Sequence, residues 1–155
     1  MNYSMRGITQ VTDFLRELPR GVKISAMRAA AKYLIGDSQH GLKHNPARVQ
    51  HDESNPYQWQ SDAQRRWWFA THDGPYQRTG DLAAGWKFTE SDSNWTSVKL
   101  ENRVPYGEFV QGANIQRGHI ADGWRKIEDV IATNINGAIA AANTAVRQWV
   151  REHDR

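Results

Sequence analysis

The stretch from Pro75 to Val110, PYQRTGDLAAGWKFTESDSNWTSVKLENRVPYGEFV, decides the fold. Two runs within it alternate as strands do, Leu82–Thr89 and Trp95–Val104, and Glu90–Asn94 between them is made of turn formers. The pattern predicts a β-hairpin with a polar loop of about five residues, entered through the turn Asp73-Gly74-Pro75. In the second run Trp95, Ser97, Lys99, Glu101 and Arg103 fall on one face and Thr96, Val98, Leu100, Asn102 and Val104 on the other. One side of an antiparallel sheet is therefore expected to pack on helices while the charged side meets water or a partner.

Helical spacing flanks the hairpin on both sides. Upstream, Val11, Phe14, Leu15 and Leu18 recur at i, i+3, i+4, i+7, and after Pro19 a broader apolar face runs from Arg20 to Ile35, with Gly36 placed for a left-handed C-cap. Downstream, Trp124 to about Arg151 carries Ile127, Val130, Ile131, Ile135, Ile139, Ala142, Val146, Trp149 and Val150 along one side. Asn134, Asn136 and Gly137 in its middle predict a kink or a break. Tyr106, Phe109 and Val110 follow Pro105 at helical spacing, so a short helix is expected there, its patch docked on Ile127, Val130 and Ile131. The chain reads as α+β, with a small antiparallel sheet packed against N-terminal helices and a long C-terminal helix.

Two segments carry little apolar periodicity. Residues 37–60 form an extended polar arm, long enough to be expected on a neighbouring subunit, and Val110–Asp122 reads as a glycine-rich loop. Ser61-Asp62-Ala63-Gln64 fits a capping box and predicts a short helix through Arg65, Arg66, Trp67, Trp68 and Phe69. These aromatics are expected to anchor that helix in the core or in a subunit contact. The same basic and aromatic residues also permit a nucleic-acid-binding module.

Length and composition bound the alternatives. A chain of 155 residues supports one domain over residues 1–155, burying roughly two-thirds of its unfolded surface. The mean hydropathy of -0.78 is low, yet seven Trp and five Tyr argue against a disordered chain. With no cysteine there are neither disulfides nor thiolate metal sites. Neither an apolar leader nor a run of about 20 apolar residues occurs, so neither secretion by a signal peptide nor a membrane partner is expected. Lys and Arg exceed Asp and Glu by 20 to 17, too small and too dispersed an excess to demand nucleic acid.

Chemistry-bearing patterns are sparse. His40, His44 and His51, with Asp37 and Asp52, lie in the arm, where Gly41 and Pro46 oppose the helix a chelating His pair needs, so no metal is expected. Asp81, Glu90, Asp92, Glu101 and Glu108 are read as charged strand faces and turns rather than as an acid and base across a cleft. Phosphate-cradling and nucleophile-elbow motifs do not occur, and neither an enzyme nor a cofactor is expected.

Arg78-Thr79-Gly80-Asp81-Leu82, then Gly85-Trp86, Leu100-Glu101-Asn102 and Pro105-Tyr106-Gly107-Glu108-Phe109-Val110 with Gly112 resemble the tail-component family of tailed bacteriophages. That family carries an Arg-Thr-Gly-x-Leu start, a Trp in the following strand, an Asn at a strand end and a Tyr-Ala-x-Tyr-Val style segment ending in glycine. The likeness covers about residues 36–131, with Gly41–Pro46, the Gln60–Phe69 helix and Gly123-Trp124-Arg125 as flanking features. Gly107 and Phe109 stand where Ala and Tyr are commoner, and the helix beyond Trp124 exceeds the family's shortest pattern. The resemblance implies a neck or tail-completion protein of the virion, assembled in the host bacterial cytoplasm as a ring of identical subunits at the head–tail junction. It implies as partners the portal- or adaptor-side connector proteins and the tail-tube or tail-terminator proteins, with genomic DNA passing through unread. Arg78, Thr79, Gly80, Leu82, Trp86, Asn102, Tyr106, Phe109, Val110, Gly112 and Trp124 are its motif and interaction residues.

Overall fold

A computed structural model of the chain describes residues 2–5, 18–36, 41–47, 49–71, 80–90 and 97–153. The expected helix over Val11–Leu18 lies outside them, except for Leu18, which packs against the core. Also outside are the turn at 73–75, the motif residues Arg78 and Thr79, the hairpin tip at 91–96, and Asp37 and His40 of the arm.

Helix α1 runs from Arg20 to Ile35, starting directly after Pro19. Its alanine-rich inner face buries Val22, Ala26, Met27, Ala30, Ala31, Leu34 and Ile35. Gly36 is not left-handed, as was expected, but extended at φ -47°, ψ 165°. The helix is closed instead by returning chain, because the Leu42 and Lys43 amides donate to the Leu34 and Ile35 carbonyls at 2.8 and 3.2 Å. Gly41 must be glycine for this to happen, since a Cβ there would fall on the Gly36 backbone.

The sheet is three-stranded and antiparallel, in the order β1–β3–β2, with β1 at Asn2–Met5, β2 at Trp86–Glu90 and β3 at Val98–Asn102. The hairpin pairs Trp86 with Asn102 and Phe88 with Leu100, and β1 adds Tyr3 opposite Leu100. Sequence reading had only the hairpin, and it began the first strand too early. Residues Asp81–Ala84 form a helical turn, α3, because Gly80 at φ 83° opens it and Asp-Leu-Ala-Ala favours helix. Alternation in β3 holds on the core side, where Val98, Leu100 and Asn102 are buried.

Helix α6 runs unbroken from Ile127 to His153, about 40 Å, and packs chiefly on α1, which also meets β2 and β3. The expected alternative of a break into two helices does not occur, for two local reasons. Asn134 is buried and returns its amide to the Val130 carbonyl at 2.7 Å, and Gly137 leaves room for the Tyr33 ring, which a Cβ would strike. One core cluster joins Leu34, Leu42, Trp86, Leu100, Ile127 and Val130, and each fully buried side chain of this kind stabilises by about 1.5–3 kcal/mol.

Val110–Asp122 is not a plain loop. Short helices occupy Gly107–Val110 (α4) and Arg117–Ala121 (α5), and the capping box starts α2, Asp62–Thr71. The helix expected after Pro105 is therefore present, but its docking differs. Val110 packs with Leu82 and Trp124 in a second cluster, while Tyr106 and Phe109 remain 37% and 47% exposed. A single turn turns only one such position inward, and the face of Ile127 and Val130 is already filled from the main cluster. Phe109→Asp is accordingly expected to leave the subunit folded, with a loss under about 1 kcal/mol in a denaturant titration.

Candidate interaction surface

Residues widely separated in sequence meet at a buried node around Asn102, and Trp86 meets others around Gln111. Asn102, fully buried, donates its Nδ2 to the Leu82 carbonyl at 2.7 Å and accepts the Val104 amide at Oδ1, 3.0 Å. Gly85 lies against that side chain, with no space for a Cβ. Trp86, 3% exposed, donates its indole N–H to Gln111 Oε1 at 3.2 Å. Gln111 in turn donates to the Leu42 carbonyl, and its own carbonyl receives the Ile127 amide at 2.9 Å, so it ties β2, the chain after α1 and the start of α6 together. Gly112 turns against Glu108, and Leu82, Val110 and Trp124 close the apolar side. Gly80, Leu82, Trp86, Asn102, Val110, Gly112 and Trp124 thus serve the scaffold. Tyr106 and Phe109 face outward.

Among the described residues, the two most exposed large apolar side chains belong to α2. The Gln64 amide N–H donates to Ser61 Oγ at 3.1 Å and Gln64 Oε1 accepts the Gln60 amide at 2.8 Å, so the expected capping box forms one residue wider than the standard pairing. No residue of α2 is buried. Trp67 and Phe69 are 59% and 63% exposed, so of the two expected anchorages the subunit's own core does not hold them. Trp59 lies beneath, its ring centroid 6.2 Å from Trp68 and 5.8 Å from Phe69, with Tyr57 edge-on to it at 4.7 Å.

The described part of the polar arm lies on its own chain. Tyr57 sits over Gly118, where a Cβ would enter its ring, and meets the His119 ring at 6.2 Å. Gln60 Oε1 accepts the Arg117 amide, and Gln64 Nε2 donates to Gln116 Oε1 at 2.6 Å. His51 Nδ1 is 3.2 Å from the Asn55 carbonyl, and its Nε2 lies 3.0 Å from Asp122 Oδ1. That approach is within ion-pair distance for a protonated imidazole but off the hydrogen-bond axis, leaving Asp122 Oδ1 buried without a hydrogen-bond donor. Asp52 accepts the Ser54 hydroxyl and the Ser54 and Asn55 amides, and these bonds, the hydroxyl's foremost, hold its carboxyl below the usual carboxylate range.

On the outer side of the sheet Glu101 lies between Lys99, 3.3 Å away, and Arg103, 3.1 Å away. Its side chain is only 8% exposed, while those of Lys99 and Arg103 are 35% and 85% exposed. The charged face expected from sequence is therefore partly closed by its own ion pairs. The Lys99 hydrogen bond, and less strongly the Arg103 charge, lower the Glu101 pKa against the opposing effect of burial. A carboxyl lowered in the folded state contributes stability above its ordinary pKa and loses it as pH falls through the folded value. Melting curves from pH 7 down to pH 3 should therefore fall less steeply for Glu101→Gln than for the parent protein. Parallel curves would remove Glu101 from the acid response.

A cleft of about 20 Å³ between Gly41, His44, Gln111 and Arg125 has space for about one water. Among the described residues no group of three or more His, Cys, Asp or Glu is placed to hold a metal ion, and no helix is long and apolar enough to cross a membrane. Gln111, Tyr57, Trp59 and the Gln64–Gln116 and His51–Asp122 contacts were missed in the sequence. Only the aromatic alternation Tyr57-x-Trp59 ahead of the capping box offered a signal. No protein-family model, no curated protein and no solved structure matches this chain.

Proposed function

We propose that the chain is a structural subunit of a tailed-bacteriophage virion, a neck or tail-completion protein whose copies form a ring at the head–tail junction. In this reading it joins portal- or adaptor-side connector proteins to tail-tube or tail-terminator proteins, and genomic DNA passes through the ring. The observation that carries the reading is that Leu82, Trp86, Asn102, Val110, Gly112 and Trp124 are all buried and make scaffold contacts: the Asn102–Leu82 bond, the Trp86–Gln111 bond and the Leu82, Val110, Trp124 cluster. Residues that resemble the phage tail-component pattern for the sake of a scaffold, rather than of catalysis, would be expected to be buried in this way. Large aromatics left outside a small α+β domain add support, because such side chains are enriched in the cores of protein interfaces. Gold-labelled antibody against the chain should mark tailed particles in one band at the head–tail junction. Label on the capsid shell or on fibres would overturn the reading.

The exposure of Trp67 and Phe69 beside Arg65 and Arg66 favours a second reading, a nucleic-acid-binding module that stacks bases on α2. The net charge of +3 over the whole chain supplies little phosphate attraction, so the ring comes first. On the ring reading, DNA binding is weak, salt-sensitive and indifferent to sequence. A sequence-specific complex that survives 0.15 M salt, roughly the physiological ionic strength, would reverse the order.

A further inference from the structure

We propose that His51 and Asp122 form a proton-operated latch, closed when the imidazole is charged, that holds the turn at residues 50–55 of the arm against the end of α5. The latch belongs to the single subunit and stands whether or not a ring forms. His51 Nε2 lies 3.0 Å from Asp122 Oδ1, and Nδ1 lies 3.2 Å from the Asn55 carbonyl oxygen. With Asp122 ionised, both ring nitrogens face oxygens that can only accept. A neutral imidazole has one N–H to give, so its other nitrogen would turn a lone pair on an oxygen, whereas the imidazolium carries a donor on each side. Asp122 adds a demand of its own, since its side chain is only 12% exposed and Oδ1 is buried without a hydrogen-bond donor. A carboxylate oxygen so placed is costly, and a cation 3.0 Å away offsets the cost.

The turn is built to move as one piece. Asp52 accepts the Ser54 hydroxyl and the Ser54 and Asn55 amides, and Asn55 Nδ2 donates to the Gln50 carbonyl, so residues 50–55 are tied to one another. Before the turn the chain is fixed where Leu42 and Lys43 return to α1, and after it where Tyr57 sits over Gly118 and Gln60 accepts the Arg117 amide. Between those anchors the His51–Asp122 pair fastens the turn to the end of α5. Among the described residues, Asp122 faces the ring from the end of α5, Asp52 from the next position of the arm, and Tyr57 edge-on at 5.1 Å, with His119 of α5 beyond Tyr57 and 6.2 Å from it. Both carboxylates favour a charged ring, and a charged His119 would oppose it from across Tyr57. Asp52 is already engaged by Ser54 and Asn55, so Asp122 is the charge that answers His51. Histidine changes charge between about pH 5 and 8, and closing takes up the proton, so closure is favoured at the acid end of that range and lost as pH rises.

The chain has no cysteine, so Glu53→Cys, at an exposed position of the turn, takes a single nitroxide label on the full protein. The broadening that this label imposes on the amide resonances of residues 118–123 reads how closely the turn sits on α5. It should be at least about threefold stronger at about pH 5 than at about pH 8. His51→Gln and Asp122→Asn, each added to the labelled protein, should flatten the response, and His119→Gln should keep it. Broadening that is the same at the two pH values with the pair intact overturns the latch, and that measurement decides even where a variant fails to fold. A response that survives in His51→Gln or in Asp122→Asn overturns it as well, and one lost only in His119→Gln assigns the switch to that histidine instead.

Discussion

Replacing Trp86 by alanine should cost about 3–5 kcal/mol in a denaturant titration, a large share of the stability of an ordinary domain. The side chain is 3% exposed and packs in the main cluster with Leu100, Leu42 and the helices, so its removal leaves a cavity that β2 cannot fill by itself. It also strips Gln111 Oε1 of its indole donor, and Gln111 holds the start of α6 and the chain after α1. The midpoint should fall without a change in the denaturant slope. A loss below about 1 kcal/mol with assembly abolished would instead place Trp86 in a subunit interface.

Asn102→Leu keeps nearly the same volume and should still cost about 2–4 kcal/mol, because it orphans the Leu82 carbonyl and the Val104 amide together. The site is fully buried, so water cannot take over either bond without opening the end of β3 against α3. Asn114→Leu, at an exposed position whose side chain bonds Glu108, is the control and should stay within about 0.5 kcal/mol. Equal losses at the two positions would show that the buried node does not bear the fold.

Periodic segments were legible in the sequence, and residues whose role depends on distant partners were not. Arg20–Ile35 and the long C-terminal helix follow from apolar spacing, and β3 follows from alternation. The capping box at Ser61 named its own helix start. By contrast Asn134 and Gly137 look like helix breakers until Val130 and Tyr33 are seen beside them. Gly36 looks like a left-handed cap because the sequence does not show that Leu42 and Lys43 return to satisfy the last carbonyls. β1 is four residues at an edge of the sheet, too short to alternate recognisably, and its evidence lies in the pairing with β3. At the candidate surface, Arg65–Phe69 stood out by composition, but its exposure is a tertiary fact. The core reading of those aromatics failed because α2 is held at its edge through Gln64 and Trp59 rather than laid across α1.

Assembly is the property from which the rest of the functional account follows, and negative-stain imaging of the purified full chain tests it most directly. The account predicts closed rings of one size with a central opening wide enough for a DNA duplex to pass. A field of separate monomers at every concentration imaged, or open filaments with no closed rings, would contradict it.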